Sequence, residues 1–306
     1  MNRTTLALLV LFTAPGFDIA AQQRADTGFE PDVPAPRWSP GQGPRAAVDE
    51  AHHNFHTADG RYRPFVELLR ADGWNVDSSS QPFTAAALDG VDVLIVANAL
   101  NERNAQDWSL PTPSAFTDEE IAVVLSWVRE GGALLLIADH MPMPGAAEAL
   151  GRAFGFEMRN GFAAEPPGLG TIVFRRADGT LTEHAITAGR GEAARIDSVA
   201  TFVGQGFKPP EDAHPLLVFR GSAVSLEPDT AWQFHDATPE VDLGGWSQGA
   251  VLQAGRGRVA VFGEAAAFTA QVGGPDGAPM GLNTPVAAQN ARFILNVMAW
   301  LVGEPD

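Results

Sequence analysis

Residues 131–140 read Gly-Gly-Ala-Leu-Leu-Leu-Ile-Ala-Asp-His, "GGALLLIADH". The two glycines stop whatever precedes them, and Ala133 to Ala138 is apolar at every position. A strand that is apolar on both faces must be covered on both faces, which is the habit of parallel sheets in α/β proteins. Just upstream, Thr117 and Glu120 form a capping box, and Ile121, Val124, Leu125 and Val128 line one side of a helix. Before that, "VDVLIVAN" predicts another buried strand, from Val91 to Ala97.

The alternation continues in both directions. A strand is expected around Ala46 to Val48, then a helix with Phe65, Leu68 and Leu69 on one side, ended by Gly73, then a brief strand from Trp74 to Val76. Downstream, "GAAEALGRAFG" predicts a short helix closed by Gly155. From Phe156 to about Ala254 the helical signal fades. "GTIVFRRADGTL" predicts a hairpin turning at Asp178-Gly179, and "SVATFV" and "PLLVF" are further strands. "GAVLQAGRGRVAVFGE" is a hairpin with second arm Val259 to Phe262, and Thr284 and Pro285 open a last helix bearing Ala291, Ile294, Leu295, Met298 and Leu301. The expected fold is α/β and flavodoxin-like: a mainly parallel sheet, helices on both faces, and a β-rich insertion in the second half.

Three segments follow from composition. Residues 1–21 carry Arg3, an apolar run from Leu6 to Phe12, and small residues at Ala20 and Ala21, the pattern of a cleavable signal peptide. An N-terminal anchor is the rival reading, but the run is short for a bilayer span. Residues 22–44 hold five prolines from Pro31 to Pro44 and read as a linker or surface-hugging arm. Residues 45–303 read as a single domain, expected in a periplasm or secreted, with no membrane span after signal removal. The chain has no cysteine, which excludes disulfides, thiolate metal sites and a cysteine nucleophile. A net charge of −17 argues against nucleic acid, and the sole lysine, Lys208, against Schiff-base chemistry.

In such a sheet, ligands bind beyond the carboxyl ends of the strands. The residues expected there are Asp49, Glu50, His52, His53 and His56 after the first strand, Asn98 and Asn101 after "VLIVA", Asp139 and His140 after "LLLIA", and Glu264 after "VAVFG". Any one of them suits an ordinary polar loop. Together they suggest a site, because only seven histidines exist and three fall within residues 52–56. His53, His56 and Asp139, with His140 or Glu264, could ligate zinc or another divalent ion. The alternative is acid/base chemistry, with a carboxylate orienting a histidine. Asp139, His140 and His53 are the catalytic candidates, and Glu50, His56, Asn98, Asn101 and Glu264 the ligand-binding ones. "GWSQG" around Ser247 matches a nucleophile elbow, but a strand-like hairpin follows it and no histidine comes after it. "GRGEAA" and "GRGRVA" are turn glycines, and His184, His214 and His235 read as ordinary histidines.

"VDVLIVANALN", the capped helix before "GGALLLIADH", and "GRVAVFGEAAAF" followed by "NARFILNVMAWL" resemble the class I glutamine amidotransferase-like superfamily, in its exported bacterial branch. The resemblance covers roughly residues 45–303. It implies that the elbow bearing the family's catalytic cysteine corresponds to "IADHMP", so Asp139 or His140 stands in the cysteine's place. Glutaminase activity is therefore not expected. What is expected is a pocket for a small polar ligand, with carbohydrates as one suitable class, and hydrolysis assisted by a metal or by histidine and carboxylate. A non-catalytic binding or scaffold module of an envelope assembly is the second reading.

Overall fold

A computed structural model describes residues 23–304, apart from 167, 190, 192–193, 222 and 275; the expected signal segment lies outside the described residues. After a two-residue strand β1 (Arg24–Ala25) come β2 (Arg45–Asp49), α1 (Arg63–Ala71), β3 (Asn75–Ser79), β4 (Val93–Ala97), α2 (Asp118–Arg129), β5 (Ala133–Ile137) and α3 (Met143–Ala153). The middle of the chain holds β6 (Glu157–Met158), β7 (Phe162–Ala164), β8 (Thr171–Arg175), the single turn α4 (Ala185–Ala188), β9 (Ser198–Phe202), β10 (Phe207–Lys208) and β11 (His214–Val218). The rest comprises β12 (Val224–Leu226), β13 (Glu240–Asp242), β14 (Ser247–Ala254), β15 (Gly257–Phe262), β16 (Ala270–Gly273), β17 (Ala278–Gly281) and α5 (Asn290–Leu301).

The flavodoxin-like expectation of a mainly parallel sheet is corrected. The main sheet is mixed, in the order β3-β2-β4-β5-β15-β14-β10-β6, with β11 also paired to β14. Its first five strands are parallel, while every pairing from β15·β14 onward is antiparallel. Three small antiparallel sheets stand apart: β1-β16-β17, β13-β12-β7 and β8-β9. The cause is the tight hairpin β14–β15, which places an antiparallel strand against the parallel half and lets short strands continue outward. The expected hairpin at Asp178-Gly179 is also corrected, since β8 pairs with the distant β9. Thr284 and Pro285 begin only a single 3₁₀ turn, and α5 starts at Asn290.

The central parallel strands are buried throughout, and their side chains alternate between two cores. Ile95, Leu135, Ile137 and Ala260 face a core shared with Phe65, Leu68 and Leu69 of α1 and Phe293, Ile294 and Val297 of α5. Leu94, Val96, Leu134, Leu136 and Val261 face a second core with Val124 and Val128 of α2 and Met143, Ala147 and Leu150 of α3. Each fully buried Leu or Ile contributes about 1.5–3 kcal/mol, so both faces are needed to hold β5 in the centre. At the hairpin turn Gly257 has no room for a side chain: a Cβ would lie 2.0 Å from the Val128 carbonyl oxygen and 2.1 Å from that of Gly132.

The capping box on α2 is present, with Thr117 accepting the Glu120 N–H and the Glu120 carboxylate accepting the Thr117 N–H at 3.0 Å. Thr117→Ala should lower stability by about 1 kcal/mol in urea unfolding. The proline-rich segment lies along the body: β1 pairs with β16, and Trp38 meets Trp74 edge-on at 5.2 Å. The Arg37 backbone N–H donates to Asp72 and its guanidinium to Asn296.

Candidate functional site

Because β2, β4, β5 and β15 run the same way, their carboxyl ends open on one edge of the sheet. Asn98, directly after β4, adopts a left-handed conformation with φ +49°. Asn tolerates this region better than most side-chain-bearing residues. The turn aims its carboxamide across to the end of β5, where Oδ1 accepts the Asp139 N–H at 2.8 Å. Its Nδ2 then donates to Nδ1 of His56 at 3.0 Å. That makes Nδ1 an acceptor and puts the proton of a neutral imidazole on Nε2. Gln271 Nε2 lies 3.2 Å from His56 Nε2, while Gln271 Oε1 has no partner among the described residues. Two donors cannot share that contact, so proton count places the carboxamide oxygen of Gln271 on the ring side. Burial, then the charges of Arg61 and His140, hold the His56 pKa well below the ordinary histidine value. His56 is thus neutral, with both nitrogens engaged. It positions Asn98, and through Asn98 the end of β5.

Asp139 and His140 follow β5. Asp139 Oδ1 accepts the His140 N–H at 2.8 Å, and no partner is found for Oδ2 among the described residues. His140 Nδ1 lies 2.8 Å from the Met141 carbonyl and donates to it, so that in the neutral ring Nε2 is an acceptor, with no protein partner among the described residues. The ring stacks on Phe162 at 4.6 Å and 12°, with Trp232 edge-on at 4.7 Å and Trp108 at 6.1 Å. Both residues are only 9% exposed. Beyond β15, Glu264 is buried, and its two oxygens accept the N–H groups of Ala266 and Ala267 at 2.8 and 2.7 Å. Burial, reinforced by the charge of Asp139, pushes the Glu264 pKa well above the carboxylate range against the pull of those N–H groups. Burial and the same two acids raise Tyr62, whose hydroxyl donates to the Ala265 carbonyl at 3.1 Å.

The other expected residues lie elsewhere or do other work. His52 is a structural latch. Its Nδ1 lies 2.9 Å from both Asp49 oxygens and its Nε2 2.9 Å from Glu120 Oε1, with the ring between Phe83 and Phe116. His53, with φ +46°, is exposed and makes no hydrogen bond to the other candidates. Glu50 accepts the Ala58 N–H at 2.8 Å, and Asn101 caps the short turn 102–104. Among the described residues no three His, Cys, Asp or Glu side chains gather closely enough to hold a metal, and the set His53, His56 and Asp139 is not brought together as ligands. Tyr62, Gln271, Phe162, Trp108 and Trp232 were not legible as site residues. Tyr62 had one signal, as the only tyrosine in the chain.

The latch carries a pH dependence with two edges. Burial opposes a charged His52, but bonding to Asp49 and Glu120 outweighs it and raises the pKa above 6.5. Burial would likewise raise Glu120, but the Thr117 N–H and His52 hold it down to about 2 from 4.5. The raised group contributes fully below 6.5 and loses its contribution as pH rises through its folded value. The lowered group contributes fully above 4.5 and loses it as pH falls toward about 2. The stability difference between wild type and His52→Asn should therefore peak between pH 4.5 and 6.5 and narrow on both sides, measured by denaturant unfolding across pH.

No protein-family model and no curated protein matches the chain. Solved structures do resemble it. The "mmIFT52 N-terminal domain" is 15% identical with a TM-score of 0.58, covering 84% of this chain and 97% of that one. A cytoplasmic protein of Salmonella typhimurium LT2 is 15% identical with a TM-score of 0.50, covering 85% and 99%. A "putative thua-like protein" from Bacteroides uniformis is 14% identical with a TM-score of 0.49, covering 90% and 97%. At 15% identity the first two likenesses bear on the fold alone.

Proposed function

We propose that the carboxyl edge of the sheet binds a small, hydroxyl-rich ligand, with Asp139 and His140 as the groups that hold it and move a proton on it. The observation that carries this reading is a pair of acceptors, Asp139 Oδ2 and His140 Nε2, without protein partners among the described residues on two successive, nearly buried residues. Neither atom is sealed in the interior, so each reaches the surface of the site and is open to a donor on a ligand. Two acceptors call for donors on the ligand. Hydroxyl groups supply them, and the half-buried rings of Trp108 and Trp232 beside His140 suit the apolar faces of a sugar ring. Carbohydrates are the class that combines these properties.

In a hydrolytic step, His140 Nε2 would take a proton from water as the water oxygen bonds to the ligand's acetal carbon, and the imidazolium would give that proton to the leaving-group oxygen as its bond to the same carbon breaks. A nucleophile of the chain's own is not needed for this, and the absence of cysteine fits it. The test is calorimetric titration of the protein with a panel of mono- and disaccharides, followed by chromatography for cleavage products. At least one saccharide should bind, and His140→Ala should weaken it about tenfold, the scale of one lost hydrogen bond. A panel with no binder would refute the ligand class. Binding without cleavage would leave a non-catalytic binding module.

A further inference from the structure

The hairpin β12–β13 is closed by loop 227–239, which reaches back over the site. At its neck, Leu226 pairs with Glu240, the Glu227 N–H donates to the Pro239 carbonyl, and Arg159 grips the Glu227 carboxylate with two bonds of 2.6 and 2.5 Å. At its far side the loop meets residues 108–110. The Leu110 N–H donates to the Asp229 carbonyl and the Ala231 N–H to the Trp108 carbonyl, each at 2.9 Å, flanking the bridge Ser109–Thr230.

The two partners of that bridge differ. Residues 104–111 are braced from behind, since the Arg103 guanidinium donates to the Leu110 and Pro111 carbonyls and Asn104 Nδ2 to those of Asp107 and Ser109. From Gln233 to Thr238, by contrast, the loop's hydrogen bonds among the described residues are local, from Gln233 to Thr230 and between His235, Ala237 and Thr238. Trp232 sits where the loop turns down. It holds φ +66°, a strained value for a bulky residue, and its indole Nε1 is buried without a hydrogen-bond partner among the described residues. Its ring closes on His140 at 4.7 Å and on Phe162 at 4.8 Å.

We propose that loop 227–239 is a flap over the Asp139–His140 site, hinged at the Glu227–Pro239 neck, with Trp232 as the plug that lifts away to admit the ligand. The proposal rests on reading Asp139 and His140 as the ligand site. Strain at Trp232, an orphaned donor and two backbone bonds put this segment at the low end of local stability, where lids are drawn from. Lifting the loop removes Trp232 from its edge-on contact with the His140 ring and widens access to Nε2.

The test uses the full chain and needs no ligand. Ser109 and Thr230 form the pair flanked by backbone bonds, whose Cα atoms lie about 4.5 Å apart, within disulfide range. The chain has no other cysteine. In the double variant Ser109→Cys/Thr230→Cys, diethylpyrocarbonate labelling of His140 is followed by peptide mass spectrometry, with exposed His53 as the internal reference. Reduced protein should label at His140, and oxidised protein about tenfold more slowly, with His53 unchanged. Trp232→Gly, which removes the plug and relaxes the backbone, should label His140 about tenfold faster than wild type. Equal labelling of His140 in the oxidised and reduced forms, whether fast or absent, overturns the proposal. So does a Trp232→Gly rate no higher than wild type. A failed flap leaves the saccharide titration standing, and a failed titration leaves the labelling result standing.

Discussion

His52→Ala should be the costliest of the histidine substitutions, lowering stability by about 3 kcal/mol or more, the range for breaking a buried charge pair from one side. Asp49 is fully buried and Glu120 is 8% exposed, so removing the imidazole leaves two carboxylates facing each other without the cation between them. Each keeps other donors: Asp49 has the Ala51 N–H and Asn54 Nδ2, and Glu120 has Thr117 and the Phe83 N–H. Those bonds keep the cost away from the upper end. A gap between Phe83 and Phe116 adds to it, because the ring fills the space at 4.5 and 4.7 Å from theirs. The neighbouring control is sharp. His53→Ala, one position along the same loop, should stay within about 0.5 kcal/mol of wild type. Urea unfolding between pH 4.5 and 6.5, where both charges of the latch are fully formed, measures the two together.

Asn98→Ala should cost about 2–4 kcal/mol and disable the site, through two separable causes. The first is conformational, since alanine at φ +49° is strained where asparagine is tolerated. The second is the loss of both carboxamide bonds, which orphans the buried Asp139 N–H and frees Nδ1 of His56. Asn98→Gly keeps only the second cause, because glycine adopts the left-handed turn without strain. It should recover about 1 kcal/mol of the loss and none of the ligand binding. Equal stability of the two variants would mean that the left-handed turn carries no strain.

The parallel half of the sheet was legible because its signals are local. Leu134 to Ile137 and Leu94 to Val96 are apolar without interruption, and Thr117 with Glu120 spells a helix start within four positions. The same Glu120 also accepts from His52, 68 positions away, and nothing in the local pattern announces that. The hairpin at Gly255–Gly257 was legible too, but its consequence was not. A hairpin arm appended to a parallel strand converts the rest of the sheet to antiparallel, and strands as short as β6 and β10 leave little periodicity to read.

The histidine cluster illustrates the limit at the site. Three histidines within five positions read as one constellation, yet the left-handed turn at His53 sends them three ways. His52 goes under α2, His53 to solvent, and His56 to Asn98 and Gln271. Clustering in sequence predicts convergence only where the backbone repeats regularly, as on a helix face. The aromatic wall was unreadable for a related reason. Trp108 and Trp232 meet His140 from loops far apart in the chain, through the bridge Ser109–Thr230.

The central claim is that Asp139 serves a ligand and not the fold, and one paired measurement on Asp139→Asn tests it. Asn keeps the Oδ1 acceptor for the His140 N–H, while its neutral side chain removes the charge that raises Glu264 and Tyr62. Melting and saccharide titration are measured on the same preparation. The variant should melt at or above the wild-type temperature and bind the best saccharide at least about tenfold more weakly. A variant that melts early and binds as tightly as wild type would make Asp139 a structural residue and remove the site.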